Sequence, residues 1–224
     1  MTTLTSPPNA STRTRPVSTS SNYEASASKP SAPVDWHAPV PRPGLAGGWD
    51  RFIGPGATPA EQALAVVPAL IAAIVLPVYA AAQGLDWTTA QAVVAGLLAF
   101  DIVGGVVTNA TSSAKRWYHR AGQGARQHLS FVALHVAQIG LVGWLFRDLD
   151  FAYIGVVYGA LLAAAVLVLR VPRRLQRSVA LLLTVAALPF GLYALAPTPG
   201  LEWFVPALFL KLLVSHLTAE EPYA

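Results

Sequence analysis

Six apolar segments dominate this sequence and limit the folds that it can adopt. Each contains about 20 mostly apolar residues, the length that a helix needs to cross the hydrocarbon core of a bilayer. They cover residues 63–82, 87–108, 129–146, 151–169, 179–196 and 201–217. Charged residues make up 12% of the chain, against about 25% in soluble domains. The sequence therefore predicts an all-α, polytopic integral membrane protein with six transmembrane helices.

The basic residues indicate how these helices are oriented. If all six segments cross the membrane, every Lys and Arg outside the spans except Arg147 falls on the same side, and Lys211 lies within the last span. Loops rich in Lys and Arg stay in the cytoplasm, so we expect both termini there and place the protein in the cell (inner) membrane. The same residues are expected to contact anionic lipid head groups of the bilayer. No recognised motif accompanies the charge, which argues against nucleic-acid binding.

Three regions follow from the composition. Residues 1–58 are rich in Ser, Thr and Pro and are predicted to form a disordered cytoplasmic tail. Residues 59–217 form the transmembrane domain, and residues 218–224 a short cytoplasmic C-terminus. The chain contains no cysteine, which excludes disulfides and thiolate metal sites.

Three ionisable residues lie inside the predicted spans and are the main indication of function. Asp101, His135 and Lys211 belong to three different segments, and each costs about 2.5–3.5 kcal/mol to insert if charged. In the predicted topology all three fall in the cytoplasmic half of the bilayer. Gly104 and Gly105 follow the carboxylate and would let another helix or a ligand approach closely. We therefore expect these residues to form a polar site that opens towards the cytoplasmic leaflet.

Further polar residues, from the last residue of the second span to the residue before the third, are expected to line the entrance of this site and bind the substrate. They are Thr108, Asn109, Lys115, Arg116, His119 and His128. In an enzyme, Asp101 or His135 would act as general base or metal ligand. Lys115, Arg116 and Lys211 would hold an anionic head group.

A divalent metal is a possible cofactor, with candidate ligands Asp101, His135, His128 and His216. A catalytic zinc needs three protein ligands of this kind. His128 and His135 lie about 10 Å apart along one helix, so they cannot both bind one ion directly. Haem held by paired histidines is a weaker alternative, because each available pair includes only one buried histidine.

Three classes of function remain open at this point. The site could act on a lipid or another amphiphile. Alternatively, Asp101 and His135 could form the proton relay of a small proton-coupled transporter. In the third interpretation the protein is a non-catalytic scaffold or complex subunit, in which Asp101 and Lys211 form an ion pair that joins two helices. The sequence identifies no protein partner.

Overall fold

A computed structural model describes residues 1–3 and 37–220 of the chain. This part is 74% helix and contains no strand, which confirms the predicted all-α class. In residues 37–220, nine α-helices follow one another, and two of them continue as π-helices. In chain order they are α1 (Gly44–Ile53), α2 (Pro59–Ala82), α3 (Thr89–Ala110), α4 (Ser112–Tyr118), α5 (Ala125–Leu134), α6 (Val136–Leu145), α7 (Phe151–Arg170), α8 (Arg173–Pro189) with the π-helix Phe190–Ala194, and α9 (Phe204–Phe209) with the π-helix Leu210–His216.

Five helical stretches in the described residues are long and apolar enough to cross a membrane, as expected of a membrane protein. They are Pro59–Ala82, Thr89–Ala110, Ala125–Leu145, Phe151–Arg170 and Arg173–Ala194. The sixth predicted span corresponds to the shorter apolar helix Phe204–His216. Six crossings and the position of the termini thus remain predictions.

Local capping explains where the long helices begin. The Thr58 hydroxyl accepts a hydrogen bond from the Glu61 backbone N–H, and the Glu61 carboxylate accepts one from the Thr58 backbone N–H. Pro59 occupies the first turn of the helix. Thr88 and Gln91 form the same reciprocal pair at the start of α3. Such pairs satisfy backbone N–H groups that a helix leaves without partners at its N-terminus. Helix α8 begins at Arg173, before the predicted residue 179, so its first turns carry the basic residues.

Helices α2 and α3 pack closely because the residues between them are small, which lets the two backbones approach each other. A Cβ atom on Gly96 would lie 2.8 Å from the Ala73 carbonyl oxygen, and one on Gly104 would lie 3.1 Å from the Ala69 Cβ. Contacts of this kind allow the short distances between helices that are common in membrane bundles.

The helix formed by α9 and its π-helical continuation lies at the centre of the bundle. Phe204, Leu208, Leu212 and Leu213 are fully buried there, and the segment packs against α3, α7 and α8. Neighbouring helices cover it on several sides, so its apolar sequence reflects burial inside the protein. The predicted span 201–217 thus corresponds to a short helix that is buried among its neighbours.

The third predicted span is interrupted at His135, between α5 and α6. The His135 backbone N–H bonds to the Val132 carbonyl at 3.1 Å, a spacing of three residues. The Phe131 carbonyl, its usual partner four residues back, instead accepts a hydrogen bond from the His135 ring at 2.9 Å. A side chain inserted into the backbone ladder is a known cause of local helix distortion.

Two short helices occupy segments for which no regular structure was predicted. Helix α4 lies within the predicted connection 109–128, and the Thr111 hydroxyl accepts from the Ala114 backbone at its start. Helix α1 lies within the segment predicted to be disordered, and the rest of that prediction falls largely on residues 4–36, outside the described part of the chain. On α1, Leu45, Trp49 and Phe52 are exposed at a spacing that places them on one face.

Candidate functional site

An ion pair joins α3 to the C-terminal π-helix. The Lys211 Nζ donates to the Asp101 Oδ2 at 2.7 Å. The lysine side chain is 4% exposed and that of the aspartate 42%. Gly105 makes the contact possible, because a Cβ at this position would lie 2.3 Å from the Lys211 Cε. The sequence-predicted residues Asp101 and Lys211 are thus in direct contact.

Gln138 on α6 completes the surroundings of this carboxylate. Its Nε2 donates to the Asp101 Oδ2 at 3.3 Å. Its Oε1 is buried and has no hydrogen-bond partner among the described residues. A buried acceptor without a partner costs free energy, so this oxygen is a place where a ligand donor would be stabilised. Gln138 was not among the predicted site residues, although its position three residues after His135 puts it on the same helix face.

His135 lies beside this group with a defined tautomer. Its Nδ1 is 2.9 Å from the Phe131 carbonyl oxygen. Since a carbonyl only accepts, Nδ1 carries the hydrogen. In the neutral imidazole the other nitrogen, Nε2, is then an acceptor.

Asp101, His135, Gln138 and Lys211 line one cavity of about 310 Å³, which we call the Asp101 cavity. Most of its other walls are apolar or aromatic. These walls come from α1, α2, α3 and α5, and include Trp49, Phe52, Ile53, Val66, Phe100 and Phe131. The cavity therefore combines a polar group at one place with largely hydrocarbon-like walls.

The predicted substrate-binding residues divide between two cavities. Thr108 and Asn109 line the Asp101 cavity, and both residues are buried. The remaining four line a second cavity of about 350 Å³, which we call the basic cavity: Lys115, Arg116, His119 and His128. The structure thus does not form the single entrance that the sequence suggested.

His119 and His128, which line the basic cavity, contact a third histidine, His216. The His128 Nδ1 lies 3.2 Å from the His216 Nε2, and the His119 Nε2 donates to the His216 carbonyl at 2.9 Å. The rings of His119 and His128 stack with centroids 4.5 Å apart. Burial, and then the nearby His128 and Lys115, lower the pKa of His119 to about 4.

His216 also contacts Phe131, an aromatic residue that lines the Asp101 cavity. It stacks on Phe131 with ring centroids 4.1 Å apart, and Phe131 lines the Asp101 cavity. The His216 Nδ1 is buried without a hydrogen-bond partner in the described residues. His216 is therefore in contact with residues of both cavities.

The predicted metal ligands do not form one coordination site. Asp101 and His135 line the Asp101 cavity, whereas His128 and His216 contact each other elsewhere. Within residues 1–3 and 37–220, no group of three or more His, Asp or Glu residues is arranged to hold a metal ion. A metal site built from these four residues thus has no geometric support.

No protein-family model matches this chain, and no curated protein or solved structure shows significant similarity to it. Its function is accordingly inferred from the two cavities and the residues that line them.

Proposed function

We propose that this chain is a multi-pass protein of the cell (inner) membrane, with both termini in the cytoplasm, that binds a hydroxyl-bearing amphiphile in the Asp101 cavity. The observation that carries the proposal is the meeting of Asp101, Lys211, His135 and Gln138 in a cavity whose walls are mostly apolar or aromatic. Ligand sites of this kind are mostly apolar, with a few polar groups that fix the orientation of the ligand. An alkyl chain fits the walls, and a polar head fits the ion pair and its neighbours.

The hydrogen-bonding capacity of the polar group favours a ligand that donates. In the described residues, both side-chain hydrogen bonds to the Asp101 carboxylate go to Oδ2, which leaves Oδ1 as an acceptor. The Gln138 Oε1 and the His135 Nε2 are further acceptors. Lys211 neutralises the carboxylate, so a neutral head group is compatible with the charges. Hydroxyl groups meet these requirements.

The same arrangement supports proton transfer from the ligand. A hydroxyl near the His135 Nε2 could pass its proton to the ring, while the Nδ1 bond to Phe131 holds the ring in place. A ring that is held in place and keeps one accepting nitrogen can serve as a general base towards a bound hydroxyl. His135 is accordingly the residue to which we assign proton abstraction, and Asp101, Gln138 and Lys211 orient the head group.

Native mass spectrometry of the full chain in detergent tests the binding step. The probe is a monoacylglycerol, and the comparison is the methyl ester of the same fatty acid, which lacks hydroxyl donors. We expect monoacylglycerol adducts and about tenfold weaker binding of the ester, because buried acceptors are then left without partners. Equal binding of both compounds would contradict the proposal.

A matched pair of variants locates the binding. Gln138→Leu removes an acceptor from the Asp101 cavity and should weaken monoacylglycerol binding severalfold. Gln83→Leu makes the same chemical change at an exposed helix end and should leave binding unaltered. Equal effects of the two variants would place the amphiphile elsewhere on the apolar surface.

Proton-coupled transport is a second candidate, favoured by the position of His216 between the two cavities. His216 bonds His128 on one side and stacks on Phe131 on the other, which links the surroundings of His135 to the basic cavity. In this case a pH gradient across proteoliposomes would drive flux, and Asp101→Asn or His216→Phe would abolish it. Amphiphile binding that survives His216→Phe without any flux would favour the first candidate.

A further inference from the structure

Lys211 is a nucleophile that the proposed binding step does not use as one. Its side chain is 4% exposed and lines the Asp101 cavity. Its ammonium group has three N–H bonds, of which one is donated to the Asp101 Oδ2 at 2.7 Å. The other two have no acceptor within the described part of the chain. Lysines enclosed in apolar surroundings are those that proteins use to form imines with carbonyl compounds.

The position of the Lys211 nitrogen is fixed by two contacts with α3. One is the ion pair with Asp101, and the other is the packing of the lysine side chain against Gly105. A Cβ atom at Gly105 would lie 3.0 Å from the Lys211 Nζ, so glycine lets the amine lie against the helix backbone. Fixed orientation of the reacting atoms is a large part of the rate of a reaction between bound groups.

Asp101 is placed to take and return the proton that imine formation requires. The ammonium group passes a proton to the carboxylate, and the neutral amine then adds to the carbonyl carbon of an aldehyde. The resulting carbinolamine loses its hydroxyl group together with that proton as one water molecule. The new C=N bond keeps one hydrogen on nitrogen, so the product is an iminium cation paired with the Asp101 carboxylate. The net reaction consumes one aldehyde, releases one water and leaves the charge of the pair unchanged.

Lys115 is a second buried lysine, but its surroundings differ. It is 3% exposed and lines the basic cavity, and its ammonium group donates to the Thr218 carbonyl and hydroxyl oxygens. Burial lowers the pKa of Lys115 to about 8, so part of it is a neutral amine at neutral pH. Both acceptors are neutral oxygens, and neither can take up a proton as a carboxylate does. A comparison of the two lysines therefore separates the effect of the Asp101 cavity from the effect of burial.

We propose that Lys211 forms a protonated imine with a long-chain aldehyde bound in the Asp101 cavity. This inference rests on the proposed amphiphile site and adds a covalent class of ligand to it. The alkyl chain lies against the apolar walls, and the carbonyl carbon lies at the Lys211 Nζ. The cavity volume of about 310 Å³ falls within the usual range of ligand sites. The condensation is neither an oxidation nor a reduction, so it needs no further reactant.

Reductive trapping on the full chain in detergent tests the proposal. Hexadecanal is added with sodium cyanoborohydride, whose hydride converts an iminium into a stable secondary amine, and peptide mass spectrometry identifies the labelled residues. The chain has three lysines, Lys29, Lys115 and Lys211. We expect at least about tenfold more label on Lys211 than on Lys115, because the bound chain holds the carbonyl beside one amine. Labelling of Lys211 that does not exceed that of Lys115 would overturn the proposal.

Two controls separate binding in the cavity from general reactivity. Gln83→Lys adds an amine at an exposed end of α2, and its label should be at least about tenfold below that of Lys211. Equal labelling would show that the aldehyde reacts wherever it meets an amine at the detergent surface, which would contradict the proposal. Butanal has the same aldehyde group without the long chain, and the preference for Lys211 should be lost. A preference that persists with butanal would contradict a site for long-chain aldehydes.

Competition with monoacylglycerol distinguishes failure of this inference from failure of the proposed function. Excess monoacylglycerol should reduce the hexadecanal label on Lys211 severalfold, because both compounds would occupy the same cavity. Monoacylglycerol binding without any label on Lys211 would overturn the imine and leave the amphiphile site intact. Label on Lys211 that excess monoacylglycerol does not reduce would support the imine and contradict monoacylglycerol binding in the Asp101 cavity.

Discussion

At the scale of single residues, the Asp101–Lys211 pair determines what the centre of the bundle can do. A lysine that is 4% exposed would be strongly unfavourable without an anionic partner, since desolvation opposes its charge. The pair offsets part of that cost, and the acceptors on Asp101, Gln138 and His135 belong to residues that line a cavity. These residues therefore contribute both to folding and to ligand binding.

The first prediction separates these two contributions. Lys211→Met or Asp101→Asn alone should lower the free energy of unfolding by about 3 kcal/mol, the lower end of the range for breaking a buried ion pair, since Asp101 is partly exposed. The double variant should recover most of this loss, because no buried charge is left without a partner. Denaturant unfolding in detergent, followed by circular dichroism, measures the three values.

Monoacylglycerol binding by the double variant distinguishes the site from a purely structural ion pair. If the pair only joins two helices, the double variant should bind the probe as well as the parent does. We expect a clear loss of binding despite restored stability. A double variant as unstable as the two single variants would show that Asp101 and Lys211 are not coupled.

The second prediction concerns pH and the His119 ring. The pKa of His119 is about 4 in the folded protein, compared with about 6.5 when unfolded. Its contribution to stability is therefore complete above about pH 6.5 and is lost as the pH falls from 6.5 towards 4. His119→Gln should reduce the slope of unfolding free energy against pH in that interval. A slope unchanged by the substitution would contradict the assigned burial of this ring.

At the scale of helices, small residues and interrupted ladders decide which side chains meet. Gly104 and Gly105 were predicted to permit close approach, and both lie at tight contacts with neighbouring elements. The break at His135 was not predicted, because it depends on a ring nitrogen that replaces a backbone donor. The π-helix Leu210–His216 was likewise not predicted, since hydrophobic pattern does not encode the hydrogen-bond spacing of a helix.

The third prediction tests this packing with two glycines. Gly105→Ala should destabilise the protein by about 1–3 kcal/mol, because the new methyl group displaces the Lys211 side chain. Gly159→Ala on α7 adds the same methyl group where no atom lies within 4 Å, and it should be neutral or slightly stabilising. Thermal unfolding of the two variants in one detergent gives the comparison. Equal stability would contradict the contact between Gly105 and Lys211.

At the scale of the whole molecule, the sequence predicted the class of fold better than the arrangement of the site. Long apolar runs are sufficient to predict membrane helices, and intramembrane charges such as Asp101 indicate a polar site. The rotation of each helix relative to its neighbours comes from tertiary packing, so one predicted entrance became two cavities. Lys115 and Thr108 lie only seven residues apart, yet they line different recesses.

The fourth prediction addresses the orientation of the chain. Because the protein has no native cysteine, single cysteines can be placed without background. Cysteines replacing Gln83 and Pro199 should react in intact cells with a membrane-impermeant maleimide, whereas those replacing Ala121 and Ser178 should react only after lysis. Labelling of all four positions in intact cells would contradict the six-span topology with cytoplasmic termini.

The most direct test is a crystal structure of the full chain grown in a monoacylglycerol mesophase, where the host lipid is itself the proposed type of ligand. We predict elongated density in the Asp101 cavity, with hydroxyl groups within about 3.2 Å of Asp101, the Gln138 Oε1 or the His135 Nε2. The proposed site would be contradicted if Asp101 were turned towards the surrounding lipid. It would also be contradicted if Asp101 were separated from both His135 and Lys211 by about 10 Å, the diameter of a helix.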